Sequence, residues 1–264
     1  MRTLIVFAML SSVVPAQTAP LDLAELMHRA AAAEKANSQK VKQYAYREYK
    51  LALAFDKSGK PIERSTETWD VIGLEGSTYR KLIQRNDKPL NPKDQKREDD
   101  RLAAETARRR NETPEQRRKR LFSFEYNPSF QTGRMPELYD LDYGGEEDID
   151  GRPAYIVRGM PKAGLQPTTD NDRELLNYRA KVWIDKQDYV TSRAELEVIG
   201  DHSRMQKGSV LLGIDSRQDD GVWLAKEIRF RFDTRRFKMV NVHGETTFTY
   251  SDYHKFQVDS RLVP

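Results

Sequence analysis

The side chains best able to do chemistry in this sequence are carboxylates, a few imidazoles and two runs of arginine. Glu146-Glu147-Asp148 and Asp219-Asp220 set carboxylates side by side, which a glycosidase or a calcium site could use. Both stretches fall at predicted turns, where acidic residues are common because their side chains bond the local backbone, so the simpler reading is structural. His28, His202, His243 and His254 lie on separate predicted elements, and only the fold can bring them together. There is no cysteine, which excludes disulfides, thiol catalysis and Cys-ligated zinc or iron–sulfur centres. No G-x-S-x-G elbow, P-loop, H-E-x-x-H helix or dinucleotide fingerprint is present. The chain therefore reads as non-enzymatic, with no catalytic residue, metal site or cofactor assigned.

Arg108, Arg109, Arg110, Arg117 and Arg118 form the arginine runs and are candidates for contact with lipid headgroups or a membrane surface. Glu105 with Arg109, and Glu115 with Lys119, stand at i,i+4, so an ion-paired, solvated helix face is the plainer account. No aromatic residue lies between residues 80 and 121, so the basic segment offers no platform on which bases stack, and no nucleic-acid partner is expected. From Lys93 to Arg120 there are 11 basic and 7 acidic residues. That excess of +4 equals the net charge of the whole chain, in which 45 Lys and Arg oppose 41 Asp and Glu. The positive charge is thus local, and the chain as a whole carries no basic signature.

These residues must be positioned by elements legible in the apolar pattern. Arg2 followed by the apolar stretch Leu4 to Val14 and by Val14-Pro15-Ala16 predicts a secretory signal, residues 1–16, too short to span a bilayer. The rest, residues 17–264, is expected to be one exported, periplasmic domain. Asp22 predicts a capped helix over about 22–42, with Leu23, Met27 and Ala30 as its apolar stripe. A meander follows. In its first strand Tyr49, Leu51, Leu53 and Phe55 point one way, and Glu48, Lys50 and Asp56 the other. Asn91-Pro92 and Thr113-Pro114-Glu115-Gln116 predict two consecutive helices in a charged insertion at about 91–121. From Gly151 onward, strand follows strand, with turns expected at 185–188, 219–221 and His243-Gly244. Such alternation predicts an antiparallel sheet with one apolar and one wet face. The N-terminal stripe is alanine-rich and the insertion has few apolar residues, so the covering helices look poorly suited to seal the apolar face. Leu51, Leu53, Phe55, Val182, Ile184, Leu196, Leu212, Phe230 and Phe232 are then candidates to line a cavity, or to fill a core.

Four stretches together carry a resemblance. Gly151-Arg152-Pro153-Ala154-Tyr155 opens a strand, and Val182-Trp183-Ile184-Asp185-Lys186 precedes Asp188-Tyr189. Asp220-Gly221-Val222-Trp223-Leu224 starts a later strand, and Tyr250-Ser251-Asp252-Tyr253 leads to Phe256. In order and spacing the series resembles the outer-membrane lipoprotein-sorting proteins, similar in fold to the periplasmic carrier LolA and its receptor LolB. The resemblance covers about residues 22–262. It implies a mainly β fold with α-helices: a strongly curved antiparallel sheet, an incomplete, half-open barrel, with helices covering its concave face. It also implies a carrier of lipid or lipidated protein that holds acyl chains in an apolar cavity. Two other readings stay open at this point: an envelope-stress regulator or interaction module using the same fold with an envelope protein as partner, and a hydrolase. No counterpart of the arginine that governs acyl-chain release in the carrier can be placed, so no such role is transferred.

Overall fold

The computed structural model describes residues 21–56, 58–125, 132–200, 206–218, 220–236 and 240–255. Eleven strands make one sheet: β1 Tyr44–Phe55, β2 Pro61–Leu74, β3 Ser77–Arg85, β4 Lys88–Pro89, β5 Tyr139–Ile149, β6 Arg152–Pro161, β7 Tyr178–Asp185, β8 Thr191–Val198, β9 Val210–Arg217, β10 Trp223–Arg236 and β11 Val240–Lys255. Their spatial order is β4-β3-β2-β1-β11-β10-β9-β8-β7-β6-β5, and every neighbouring pair is antiparallel. The first and last strands meet inside the sheet, where β1 pairs β11, while β4 and β5 lie at the free edges. The sheet therefore does not close: it is the antiparallel sheet that the alternation predicts, in the open barrel with accompanying helices that the resemblance implies.

Local chemistry explains the helices. Helix α1 (Leu23–Val41) starts where the Asp22 carboxylate accepts the backbone N–H groups of Ala24 and Glu25. It buries Leu26, Met27 and Ala30, with Leu23 packed at the margin. Helix α2 (Pro92–Arg110) is capped by Asn91, whose side-chain oxygen accepts from Asp94 N at 2.9 Å. Helix α3 (Pro114–Glu125) opens on a reciprocal capping box: Gln116 N donates to Thr113 Oγ1, and Thr113 N donates to Gln116 Oε1. A 3₁₀ turn (Thr132–Arg134) leads into the short α4 (Met135–Leu138), and α5 (Asp170–Leu175) precedes β7. Among the described residues no helix is long and apolar enough to cross a membrane.

The main core joins α1 and α4 to β5–β9 through Met27, Met135, Tyr139, Val157, Val182, Ile184 and Leu196. Smaller clusters gather Tyr44, Val222 and Leu224 at one end, and Ala154, Ile156 and Trp183 on the other face.

Two turn assignments need correction. His243-Gly244 is strand, inside β11, where His243 pairs with Phe55 and Asp233. The glycine serves packing rather than a turn, since a Cβ there would meet the Phe232 ring at 2.6 Å. Glu146-Glu147-Asp148 also lie in a strand, β5, after a bulge at Gly144 whose Cβ would meet Ile156 at 2.5 Å. Glu147 accepts the Trp183 indole N–H at 2.7 Å, and Glu146 pairs with Lys186. The predicted signal segment, His202 and Phe256 lie outside the described residues.

Candidate functional site

Directly paired residues in an antiparallel ladder share a face, so the register traces each face across the sheet. One unbroken row runs Leu141, Gly159, Ala180, Leu196, Leu211, Phe230, Thr246, Ala52, Ser65 from β5 to β2. Next to it runs Val157, Val182, Ala194, Gly213, Ile228, Phe248, Lys50, Glu67. These rows form the face against which α1 packs. The intervening row, Arg158, Lys181, Glu195, Leu212, Arg229, Thr247, Leu51, Thr66, belongs to the opposite face. That face is laced with ion pairs, including Arg158–Asp142 and Arg179–Glu197.

The nine apolar candidates are therefore divided. Val182, Ile184 and Leu196 are buried in the α1 core. Phe230 and Phe232 share their face but stand in the other half of it, on β10, half-buried. Leu51, Leu53, Phe55 and Leu212 occupy the opposite face, so the nine do not form one row. Strand β1 turns Glu48, Lys50, Ala52 and Ala54 towards the helix side. The reason is visible at Glu48, which is 5 % exposed and paired with Arg80, itself stacked over Trp69 at 4.3 Å.

The half of the helix-bearing face on β10, β11, β1 and β2 has its own character. Phe230 and Phe248 meet edge to face with ring centroids 6.1 Å apart, and Phe232 lies over Gly244. On β11 and β1 the rows of Phe230 and Phe232 continue through small residues, Thr246 and Gly244 and then Ala52 and Ala54, whereas Phe248 stands between Ile228 and Lys50. None of the three aromatics belongs to an apolar cluster of the described residues. A groove of about 490 Å³ at the strand ends is lined by Phe55, Phe232, Arg231 and His243. A second of about 490 Å³, over β5–β8, is lined mainly by charged residues, among them Arg158, Arg179, Glu195 and Glu197.

Between the two halves lies a polar cluster that the sequence did not single out. Glu34 of α1 accepts from the hydroxyls of Thr132 and Thr191, and burial still pushes its carboxyl above the usual range. Asp215 of β9 is enclosed beside it. Burial first, and the Glu34 charge second, push it up to about 7. Beyond β10, Tyr46 of β1 packs its ring against Tyr250 and Tyr253 of β11, their hydroxyls raised chiefly by burial. A signal for this cluster existed: Asp215 follows Leu211 and Gly213 at a spacing of two, a carboxylate on an apolar face.

The arginine candidates separate by environment. Arg109 is 9 % exposed and donates to Glu105, to the carbonyls of Leu74, Ser77 and Thr78, and to Ser77 Oγ. Arg108 bridges Glu105 and Glu112, and Arg110 pairs with Glu75. Arg117 and Arg118 are exposed, with no ion pair among the described residues.

The stretches that carried the family resemblance converge at one end of the sheet. Arg152 makes a two-pronged pair with Asp185 at 2.7 and 2.8 Å, and stacks over Trp223. Asp188 accepts from Arg152, Arg217 and the Trp223 indole. Asp220 takes the Tyr44 hydroxyl and Lys255, and Tyr253 donates to Ala225 O. These motifs tie strand ends together. Among the described residues no group of three or more His, Asp or Glu is placed to hold a metal ion.

No family model matches the chain, and no curated protein does. Among solved structures it is similar to an outer membrane lipoprotein-sorting protein domain from Vibrio parahaemolyticus (14 % identity, TM-score 0.41, 89 % of this chain and 94 % of that one). It is also similar to a DUF1329 family protein from Desulfovibrio piger (15 %, 0.38, 92 % and 95 %) and a LolA superfamily protein from Nitrosomonas europaea (8 %, 0.33, 87 % and 94 %).

Proposed function

We propose that this protein is an exported, non-enzymatic carrier that holds an acyl chain, of a lipid or a lipidated protein, against the β10–β11–β1 half of its helix-bearing face. The observation that carries this reading is that Phe230 and Phe232 stand beside Thr246 and Gly244, with Ala52 and Ala54 one strand further, and that neither they nor Phe248 belong to an apolar cluster of the described residues. Large rings beside small residues make a channel rather than a flat wall, and a flexible methylene chain fits that shape. Burying a chain of about 14 carbons contributes on the order of 10 kcal/mol before ordering costs, at roughly 0.8 kcal/mol per CH₂. The exposed Arg117 and Arg118 supply positive charge for an anionic headgroup or membrane surface, while Arg108, Arg109 and Arg110 hold the insertion together.

Native mass spectrometry of protein purified from a periplasm without detergent tests the reading. A bound mass that organic solvent removes, identified as a lipid, is the expected result. A clean apo mass, together with failure to take up a fluorescent fatty acid, would sink the carrier reading in favour of a protein-binding module.

A further inference from the structure

Helix α1 is held on the sheet at two points of its C-terminal half. Asn37 clamps the backbone of Trp223 both ways, its Nδ2 donating to the carbonyl at 2.8 Å and its Oδ1 accepting from the N–H at 2.9 Å. One turn earlier, Glu34 reaches Thr191 of β8 and Thr132 of the 3₁₀ turn. The first clamp is neutral and insensitive to pH. The second is not, because the strand next to β8 brings Asp215 to the same face. Two carboxylates then share one enclosed space between helix and sheet, although each residue keeps some exposed surface.

The groups facing them are few. Tyr250 and Tyr253 of β11 stand against Asp215, and behind them come Tyr46 and Glu48 of β1 and Arg80 of β3. Arg80 is committed to Glu48. The two threonine hydroxyls serve Glu34, and among the described residues no cation and no hydrogen-bond donor offsets the charge of Asp215. When both carboxylates are ionised they repel each other, and the repulsion acts between α1 and the sheet. A shared proton removes it.

We propose that Glu34 and Asp215 form a proton-dependent latch that seats α1 on the sheet when the pair holds a proton and loosens it when both ionise. The inference is independent of what the neighbouring groove carries. The sign follows from linkage. Asp215 has its acidity weakened in the seated state and regains an ordinary carboxylate pKa when α1 lifts. The seated state is therefore favoured at low pH, and loses that advantage as pH climbs from the ordinary carboxylate range to about 7. Above that the loss is complete. Between pH 5 and pH 8 the expected weakening of α1 seating is on the order of a hundredfold.

Amide hydrogen exchange of α1, corrected for the intrinsic pH dependence of exchange, reads this directly. In the native chain, protection of residues 30–41 should fall on the order of a hundredfold from pH 5 to pH 8. Asp215→Asn keeps the shape and stays neutral, so its α1 protection should hardly change over that range. Glu34→Gln is the second variant, should the first fold poorly, and should flatten the profile likewise. Glu48→Gln, in the same cluster but paired with Arg80, should leave the profile as in the native chain. Constant protection in the native chain, or an Asp215→Asn profile as steep as the native one, would overturn the latch.

Discussion

On the helix-bearing face, β5–β9 present Val157, Val182, Ile184 and Leu196 to Met27 and Ala30 of α1, whereas β10, β11 and β1 present Phe230, Phe248, Thr246 and Ala52. The first set is aliphatic and buried to a few per cent exposure. In the second, Phe230 stands beside Thr246 and Phe248 between Ile228 and Lys50, and the rings stay half-buried. The apolar stripe of α1 packs into the first set through Met27 and Ala30. It leaves the rings of the second outside the apolar clusters of the described residues. One face of one sheet thus holds a filled core and a half-buried aromatic surface side by side. The change between them falls at β9, where Leu211 still touches the core and its partner Phe230 does not.

That contrast is broken most strongly through stability. Leu196→Ala removes three carbons from the filled half, where the surroundings cannot collapse, and should cost about 3 kcal/mol. Phe230→Ala deletes more atoms but leaves no enclosed void, and should cost about 1 kcal/mol, well below the range for a fully buried ring. Urea unfolding followed by tryptophan fluorescence gives both numbers. Equal costs would mean that the two halves are packed alike, and the distinction drawn here would fail.

A smaller effect tests whether the charged insertion belongs to the channel half. Arg109→Ala leaves three backbone carbonyls of the β2–β3 turn region without their donor and should cost about 2 kcal/mol. Arg118→Ala, nine residues later and exposed, should stay within about 0.5 kcal/mol. Exchange of α2 amides should accelerate in the first variant only, while β7 and β8 keep their protection in both, because distant sites act independently.

The sequence made much of this legible, and its failures have physical causes. Caps at Asp22, Asn91 and Thr113 are local, needing only neighbours within three residues, and all three start helices. Alternation in β1 correctly divides its residues into two faces. It does not say which face meets the helix: the bulkier Leu51, Leu53 and Phe55 lie outside, because Glu48 is drawn in by Arg80 from β3. His243-Gly244 has hairpin chemistry, yet the glycine answers to a phenylalanine on a neighbouring strand. Trp183 and Glu147 show the same limit. The indole was legible as a strand aromatic, whereas its acceptor comes from a strand whose acidic sequence resembles a turn. Local interactions leave local marks; those that close between strands, over 12 residues at Phe232 and Gly244 and over 36 at Glu147 and Trp183, do not.

The finest test of the comparison sets Phe230 against Leu53. Both alternate correctly in their strands, and both were candidates for one cavity. Register puts them on opposite faces: Leu53 pairs with Glu245 and Arg64 on the ion-paired side, and Phe230 pairs with Leu211 and Thr246 on the helix side. A carboxylate at position 230 would stand in the path of a methylene chain, where desolvating it opposes binding. At position 53 it would meet water, Arg64, and a Glu245 already paired with Arg231. Phe230→Asp should therefore weaken uptake of a fluorescent fatty acid at least tenfold, about 1.4 kcal/mol, and Leu53→Asp should change it less than twofold. Far-UV circular dichroism establishes that both retain their β content, and Phe248→Ala serves as the milder variant should Phe230→Asp lose structure. Equal loss in the 53 and 230 variants would move the channel to the strand-end groove, where Phe55 and Phe232 meet. Loss at 53 alone would place bound chains on the outer face and remove the role assigned to the aromatic half.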